Sequence, residues 1–190
     1  DIPARNLAEL IALAKSQPGK LSYATDTTGY IPIVGQWFNK LAGTDIVAIP
    51  YKNVSLMLQD TVAGRTQVLI TSIAAMESHR RVGKLRVLGV TSPNRFPGFA
   101  DVPTVAETLP GFRAGGFGIL VAPTGTPADI IRTLNAAVDP LVKEPEFVQR
   151  LLSFGYTASD AGTPQSLAEF IRAEGELWDR IIKDVGIQPE

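Results

Sequence analysis

Short apolar runs alternate with amphipathic helical segments along this chain, and that alternation constrains its fold more than any other feature. Apolar runs typical of strands cover residues 21–25, 46–50, 68–71 and 85–91. Between them, apolar residues recur at helical spacing, and the predicted helices end near Gln17, Gly43, Gly64 and Val82. Strands separated by helices pair in parallel through right-handed crossovers. The sequence therefore predicts an α/β fold, in which helices flank a parallel sheet. Such a fold binds its ligand at the carboxyl ends of the strands.

A stretch rich in proline and glycine interrupts this pattern between residues 92 and 112. Within it, Thr104 and Glu107 have the spacing of a capping box that opens a short helix. Further along, the sequence predicts two strands and three helices, beginning in the order 117, Pro127, Pro145, 156 and Pro164. We therefore expect two lobes, one in residues 1–112 and a partial one, ending in a long amphipathic helix, in residues 113–190.

Charge and composition exclude several classes of function. The chain of 190 residues has 18 Lys and Arg against 19 Asp and Glu, so it offers no basic surface to nucleic acid or to an anionic membrane. Its apolar runs fall far short of the roughly 20 residues that cross a bilayer, so no direct membrane insertion is expected. Neither G-x-x-x-x-G-K-[ST] nor G-x-G-x-x-G occurs, and we expect no cofactor.

Metal and nucleophilic chemistry lack the residues that they need. The chain has no cysteine, a single histidine, His79, and no carboxylate run of the calcium-loop type. No G-x-S-x-G motif accompanies His79, and the neighbouring cations Arg80, Arg81 and Lys84 are typical of a helix carboxyl end near Gly83. The sequence therefore predicts no metal site, no catalytic residue and no enzymatic activity.

A polar loop follows the first predicted strand and precedes the second helix. The unpaired backbone N–H groups of a helix start attract an anion, and the hydroxyls of this loop add further donors. A carboxylate suits such a loop better than a nucleotide does. The alternative is a polar turn that only caps the helix. The residues concerned are Thr25, Asp26, Thr27, Thr28 and Gly29.

Two further strand ends carry polar residues that could contact the same ligand. Tyr51 offers a ring and a phenol, Lys52 a cation, and Asn53 either a helix cap or a donor. Thr71 and Ser72 follow the third predicted strand, where a helix cap and a ligand contact are equally consistent with the sequence. We predict that the three strand ends together form a binding site.

Six segments, in order along almost the whole chain, resemble the substrate-binding proteins of tripartite tricarboxylate transporters, the Bug proteins. The resemblance rests on order and spacing together. The segments are QPGKLSYA at 17–24, LAG at 41–43, IPYK at 49–52, GKLRVLGVTS at 83–92, DVPTVAE at 101–107 and APTGTP at 122–127.

This resemblance implies a type II periplasmic-binding-protein-like fold that closes on a small organic carboxylate in the periplasm and passes it to membrane permease subunits. Catalysis is not part of that function. By position, residues 25–29 resemble the Gly/Ser-rich ligand loop of the family, residues 51–53 its P-Y-K-G segment, and Thr71-Ser72 a strand end that is often acidic or small. The periplasmic location rests on the resemblance alone, since residues 1–190 contain no signal peptide.

The chain departs from the family pattern in ways that bear on function. Asp26, Tyr30 and Pro32 stand in the ligand loop where Gly and Ser are usual. Ile33 stands about where a His is expected, and Asn53 replaces a Gly. The resemblance also implies that the N-terminal part of the first lobe is absent. We therefore expect a second copy or another chain to cover the incomplete lobe. A stand-alone interaction or sensor module that has lost the cleft and self-associates is the alternative function.

Overall fold

The computed structural model describes residues 2–159 and 162–187 of the chain, and strands and helices alternate in its first half. The elements, in chain order, are α1 (Leu7–Ser16), β1 (Ser22–Asp26), α2 (Tyr30–Ala42), β2 (Val47–Tyr51), α3 (Val54–Val62), β3 (Val68–Leu69), α4 (Ile73–Arg81), a 3₁₀ turn (Pro97–Phe99), α5 (Val105–Thr108), α6 (Ala128–Leu141), α7 (Pro145–Ser153) and α8 (Pro164–Val185).

The three strands form one parallel sheet in the order β2-β1-β3. Strand β1 lies in the centre, pairing Ser22 with Val47 and Asp26 with Tyr51 on one side, and Ala24 with Leu69 on the other. Each strand reaches the next through a helix, because a parallel neighbour cannot be reached by a tight turn. The predicted α/β fold with a parallel sheet is confirmed.

Local capping residues define the helix ends near the sheet. The side chain of Asn6 accepts a hydrogen bond from the Glu9 backbone N–H at 2.9 Å and so opens α1. Gly43 closes α2 with a φ of +62°, a left-handed conformation that costs glycine little. These signals fix the start of α1 and the end of α2, both close to where the sequence predicts.

The chain divides into two compact units. The first comprises Asp1–Gly115 together with Ile181–Glu190, and the second comprises Gly116–Arg180. The aromatic core of the first unit includes Trp37, stacked on Phe112 with ring centroids 5.0 Å apart. Ile181, near the carboxyl end of α8, is 1% exposed within that unit. The assignment of the units to the lobes of a binding protein stays a prediction.

The second unit consists of amphipathic helices whose apolar residues are largely exposed. Phe117 and Phe170 make an edge-to-face contact with centroids 5.0 Å apart. Neither α6 nor α7 has a buried residue. No helix in the described residues is long and apolar enough to span a bilayer. The exposed apolar side chains of this unit include Ile130, Leu134, Leu141, Phe147, Phe154, Phe170 and Ile171.

Three predicted strands are wrong. Residues 85–91 contribute one isolated bridge, Val90 to Thr104, because the backbone of Val90 pairs with residues 103 and 105 and not with the sheet. Residues 117–122 are exposed and have no partner strand among the described residues, so their apolar composition alone does not make a strand. Near 156–157, the Tyr156 N–H donates to the Leu151 carbonyl and finishes α7 as a turn.

The capping box at α5 is present, and an ion pair anchors it. The Thr104 N–H donates to Glu107 Oε1 at 2.9 Å, and Arg95 donates to both oxygens of the same carboxylate at 2.8 and 2.6 Å. Arg95 first, and the Thr104 backbone N–H second, lower the pKa of Glu107 from 4.5 to about 2. The Glu107 carboxylate therefore stabilises the fold only while it is ionised.

Glu107→Gln should lower stability at neutral pH and flatten its acid dependence. The pKa of Glu107 is lower in the folded chain than in the unfolded one. Its contribution to stability is therefore complete above pH 4.5 and is lost as the pH falls toward 2. Thermal unfolding by circular dichroism across that window measures the effect. Glu176→Gln, at an exposed position of α8, is the control and should leave the slope unchanged. Equal slopes for wild type and Glu107→Gln would contradict this prediction.

Candidate ligand site at the carboxyl edge of the sheet

The structure brings the carboxyl ends of all three strands to one edge of the sheet. Asp26 ends β1 and lies in register with Tyr51, which ends β2. On the other side of β1, Thr71 follows two residues after Leu69, the last paired residue of β3. The three predicted groups of site residues therefore flank the same edge, which is where parallel α/β sheets bind ligands.

Helix α2 starts at this edge without a side-chain cap. Its N-cap is Gly29, at a φ of +97°, and no side chain closes the first turn. The alternative interpretation, a polar turn that caps the helix, therefore holds only in that Gly29 occupies the cap position, because no loop side chain caps α2. The first backbone N–H groups of a helix have no intrahelical acceptor, and the helix dipole adds positive potential there. Thr27 and Thr28 are exposed beside this end.

Three buried polar atoms of β1 residues lack a hydrogen-bond partner among the described residues. They are the hydroxyls of Tyr23 and Thr25 and the Oδ1 atom of Asp26. Thr25 and Asp26 both lie within β1, so the loop begins two residues later than we expected, and only 3% of Thr25 is exposed. Buried polar groups are nearly always paired, so three unpaired atoms on one five-residue strand are unusual and favour a binding role.

Tyr23 packs against α2 through a glycine. A Cβ on Gly35 would lie 2.4 Å from ring atoms of Tyr23, so only glycine fits at that point of the helix. Burial raises the pKa of Tyr23, which keeps the phenol protonated. Side chains alternate along a strand, so Thr25 shares the face that Tyr23 presents to α2. Sequence patterns gave no indication of this contact, because a helical glycine carries no partner information.

The hydroxyl of Tyr51 is committed to a partner that sequence reasoning missed. It donates to Asp60 Oδ2 at 2.8 Å, and Arg65 donates to the other oxygen of the same carboxylate. The pKa of Tyr51 is raised, mainly by burial and next by the hydrogen bond to Asp60. The pKa of Asp60 is lowered, mainly by the hydrogen bond from the Tyr51 hydroxyl and next by the one from Arg65. Tyr51 can therefore accept a ligand hydrogen bond at its oxygen, but its proton is already used.

The remaining predicted residues divide between caps and open positions. The side chain of Asn53 accepts from the Leu56 N–H at 3.0 Å and caps α3, and that of Ser72 accepts from the Ala75 N–H at 3.4 Å and caps α4. Lys52 is exposed and Thr71 is half-buried. Both contacts agree with the helix-cap interpretation of the sequence. The side-chain oxygens of Asn53 and Ser72 are therefore less available to a ligand.

The first helical residue after the loop is tied to the end of the first unit. The Tyr30 hydroxyl donates to the Ala114 carbonyl, and Ala114 is fully buried. Burial raises the pKa of Tyr30 and a hydrogen bond with Thr91 opposes that effect. The two residues are 84 positions apart, so no local motif could predict the contact.

The basic residues near the carboxyl end of α4 are partly neutralised by a carboxylate of the same helix. Glu77 forms ion pairs with both Arg80 and Arg81. Their hydrogen bonds, above all that from Arg80, lower the pKa of Glu77 to about 2. Arg80 also stacks over the ring of Phe99 at 4.6 Å. Among the described residues, no group of three metal-binding side chains is present.

The comparison with known families decides the identity of the fold. The family described as the tripartite tricarboxylate transporter family receptor matches residues 1–187. The chain belongs to this receptor family. The match extends over nearly the whole sequence, so the resemblance based on the six segments is confirmed.

Relatives and solved structures agree with this receptor family. The chain is 31% identical to Protein BugT of Bordetella pertussis over 95% of its length and 33% identical to a UPF0065 protein of Pseudomonas sp. strain P51 over 94%. It spans 56% and 54% of those proteins, so about half of each. Its structure matches that of Rpa4515 of R. palustris with adipate at a TM-score of 0.86 and 29% identity, covering all of this chain and 64% of that one.

A second structure from the same organism is described with a different acid. MatC of Rhodopseudomonas palustris, described with bound malate, matches at a TM-score of 0.69 and 25% identity, covering 95% of this chain and 63% of that one. The periplasmic-binding-protein-like fold class predicted from the sequence is confirmed by these matches.

Proposed function

We propose that this chain forms the ligand-binding part of a periplasmic receptor that binds a small organic carboxylate and delivers it to the permease subunits of a tripartite tricarboxylate-type transporter. The proposal includes no catalytic step, because the family functions in binding and transport. Structural relatives described with adipate and malate support a carboxylate as the ligand. We assign the first compact unit to the second lobe of the receptor and the second unit to part of the first lobe.

The uncapped start of α2 at the carboxyl edge of the sheet is the observation that carries the proposal. A carboxylate there accepts hydrogen bonds from backbone N–H groups of the first turn, and Thr27 and Thr28 donate through their hydroxyls. The helix dipole adds roughly 0.3–1 kcal/mol, and more where the site is partly buried. Tyr51 and Thr71 flank the ligand from the neighbouring strand ends, and the exposed Lys52 attracts anions at longer range.

Thr27→Ala should weaken carboxylate binding. One lost hydrogen bond to a charged group costs about 1.5–3 kcal/mol, so we expect the dissociation constant to rise about tenfold or more. Isothermal titration calorimetry with malate and adipate measures it. Thr157→Ala, at an exposed position of the second unit, is the matched control and should bind like wild type. Unchanged affinity in both variants would remove Thr27 from the site, and no heat with either acid in wild type would refute carboxylate binding.

A second candidate function is supported by the exposed apolar side chains of the second unit. An interaction or sensor module would use them to self-associate, with another copy of the chain covering Leu134, Phe147 and Phe154. Such a module responds to no small molecule. Its homo-oligomer would remove from water the apolar faces that α6 and α7 expose.

One measurement separates the two candidates. Native mass spectrometry of protein recovered from the source cells reads chain mass, copy number and bound small molecules together. A bound small acid supports the receptor. A dimer of this chain without a ligand, with light scattering that confirms two copies, supports the interaction module.

A further inference from the structure

The phenol of Tyr30 completes a small hydrogen-bonded network at the start of α2. Its hydroxyl donates to the carbonyl of Ala114, and the Ala114 backbone N–H donates in turn to the Thr91 carbonyl at 3.1 Å. The Thr91 side chain forms a hydrogen bond with the Tyr30 hydroxyl. Ala114 is fully buried, so loss of the phenol would take a donor from a carbonyl that water does not reach easily. The network joins three segments that are far apart in sequence.

One face of α2 follows the segment from Phe112 to Ala114. Tyr30 and Trp37 are seven residues apart, about two helical turns, so they share a face. Trp37 stacks on Phe112 with ring centroids 5.0 Å apart, and Phe38 meets the same ring edge-on at 6.4 Å. Aromatic contacts thus hold the middle of the helix to this segment, and the Tyr30 hydroxyl holds the first turn to it.

Local contacts do little to fix the first turn of α2. Its cap residue is Gly29, which has a φ of +97° and nothing within 4 Å of its ideal Cβ. Glycine loses more conformational freedom on ordering than any other residue. Gly and Ser, which the resemblance gives as usual at position 30, have no phenol, so the bond to Ala114 belongs to this chain. The placement of the N–H groups that we assign to the ligand therefore depends on Tyr30.

The segment that Tyr30 holds is also the one at which the chain leaves the first compact unit. That unit reaches Gly115, and the second begins at Gly116. Ala114 is one residue before this junction, and Gly116 has no atom within 4 Å of its ideal Cβ. A hydrogen bond to the Ala114 carbonyl therefore restrains backbone that has few side-chain contacts of its own.

We propose that Tyr30 is a positioning residue of the ligand site, which holds the start of α2 in place for the ligand and couples ligand binding to residues 114–116. The inference rests on the proposed function and concerns the regulation of that same site. A ligand held by the first turn favours the conformation in which the Tyr30 hydroxyl reaches Ala114. The bond to Ala114 favours ligand binding by the same factor, because linkage is reciprocal. Tyr30 acts without a side-chain contact to the ligand.

Two hydroxyl deletions test this role, with adipate and malate as the probes. Tyr30→Phe keeps the ring and removes its hydroxyl, and Thr91→Val removes the second hydroxyl of the network while keeping the backbone carbonyl. Tyr156→Phe, at an exposed position of the second unit, is the matched control. Calorimetric titration gives the dissociation constants. Hydrogen exchange of the amides of residues 114–116, followed by NMR with and without saturating acid, reports on the coupled segment.

Tyr30→Phe should raise the dissociation constant about three- to tenfold, as expected for the loss of one hydrogen bond, while Tyr156→Phe binds like wild type. In wild type, bound acid should slow the exchange of residues 114–116 about threefold or more. In Tyr30→Phe, bound acid should leave that exchange unchanged. Thr91→Val should show smaller effects in the same direction.

Equal affinity in wild type and Tyr30→Phe would overturn the coupling while leaving carboxylate binding intact. So would an exchange rate that the acid still slows in Tyr30→Phe, because a purely structural contact would change the rate with and without ligand alike. If Tyr30→Phe does not fold, Thr91→Val decides, and wild-type behaviour in both measurements would refute the role. If wild type binds neither acid, the proposed function fails and this inference fails with it.

Discussion

Gly35→Ala should destabilise the protein, although alanine is the best helix former. In an ordinary helix interior the change from Gly to Ala stabilises by about 1 kcal/mol. At position 35 the new Cβ would lie 2.4 Å from Cε2 and Cζ of Tyr23, a distance that real Cβ atoms do not tolerate. Tyr23 is 3% exposed and has no room to withdraw without moving β1 or α2. Overpacking of this kind costs about 1–3 kcal/mol, so the net sign is reversed.

Gly175 provides the matched control, because it lies in α8 with nothing within 4 Å of its ideal Cβ. Gly175→Ala should therefore stabilise while Gly35→Ala destabilises. Urea denaturation followed by circular dichroism gives both free energies of unfolding. The double variant Gly35→Ala with Tyr23→Leu relieves the clash and should recover part of the loss. Stabilisation by Gly35→Ala would show that the contact with Tyr23 does not constrain the helix.

Met57→Ala should be strongly destabilising, because Met57 is one of the largest fully buried side chains of the first unit. Met57 is 0% exposed in α3, the helix that contacts all three strands of the sheet. Removing a fully buried side chain of this size costs about 2–5 kcal/mol, through lost burial and the cavity that it leaves. For a chain of this size each kcal/mol lowers the melting temperature by about 2–4 °C.

Leu56→Ala, one residue earlier in the same helix, is the control for this truncation. Leu56 is 42% exposed, and Leu and Met have nearly equal helix propensities, so the two changes differ mainly in burial. Leu56→Ala should cost less than half as much as Met57→Ala in a thermal melt. Equal losses would mean that α3 does not pack on the sheet through Met57.

The parts of the fold that local chemistry determines were predictable from the sequence. Asn6 with Glu9, and Gly43 in its left-handed conformation, mark helix ends through contacts within a few residues. The parallel sheet followed from the alternation of its strands and helices. The site edge was predictable for the same reason, because strands joined by right-handed crossovers must end on one side.

Features that depend on distant partners were not predictable. The apolar run at 85–91 reads as a strand, but Val90 pairs only with the segment around Thr104. The run at 117–122 has strand composition and no strand beside it in the described residues, and a strand is stable only with a neighbour. Tyr51 with Asp60 joins a strand to the helix that follows it at a spacing that no motif records. The roles of Asp26 and Lys52 in ligand binding stay predictions.

The distribution of tryptophan makes the two compact units optically distinguishable. The chain has two tryptophans, and Trp37 lies in the first unit, 6% exposed and stacked on Phe112, while Trp178 lies in the second and is half-buried. Replacing Trp178 with Phe leaves an indole emission that reports on the first unit alone, and replacing Trp37 leaves one that reports on the second. Since Trp37 is carried by the helix that starts at the ligand loop, its emission gives a label-free optical signal from that side of the molecule.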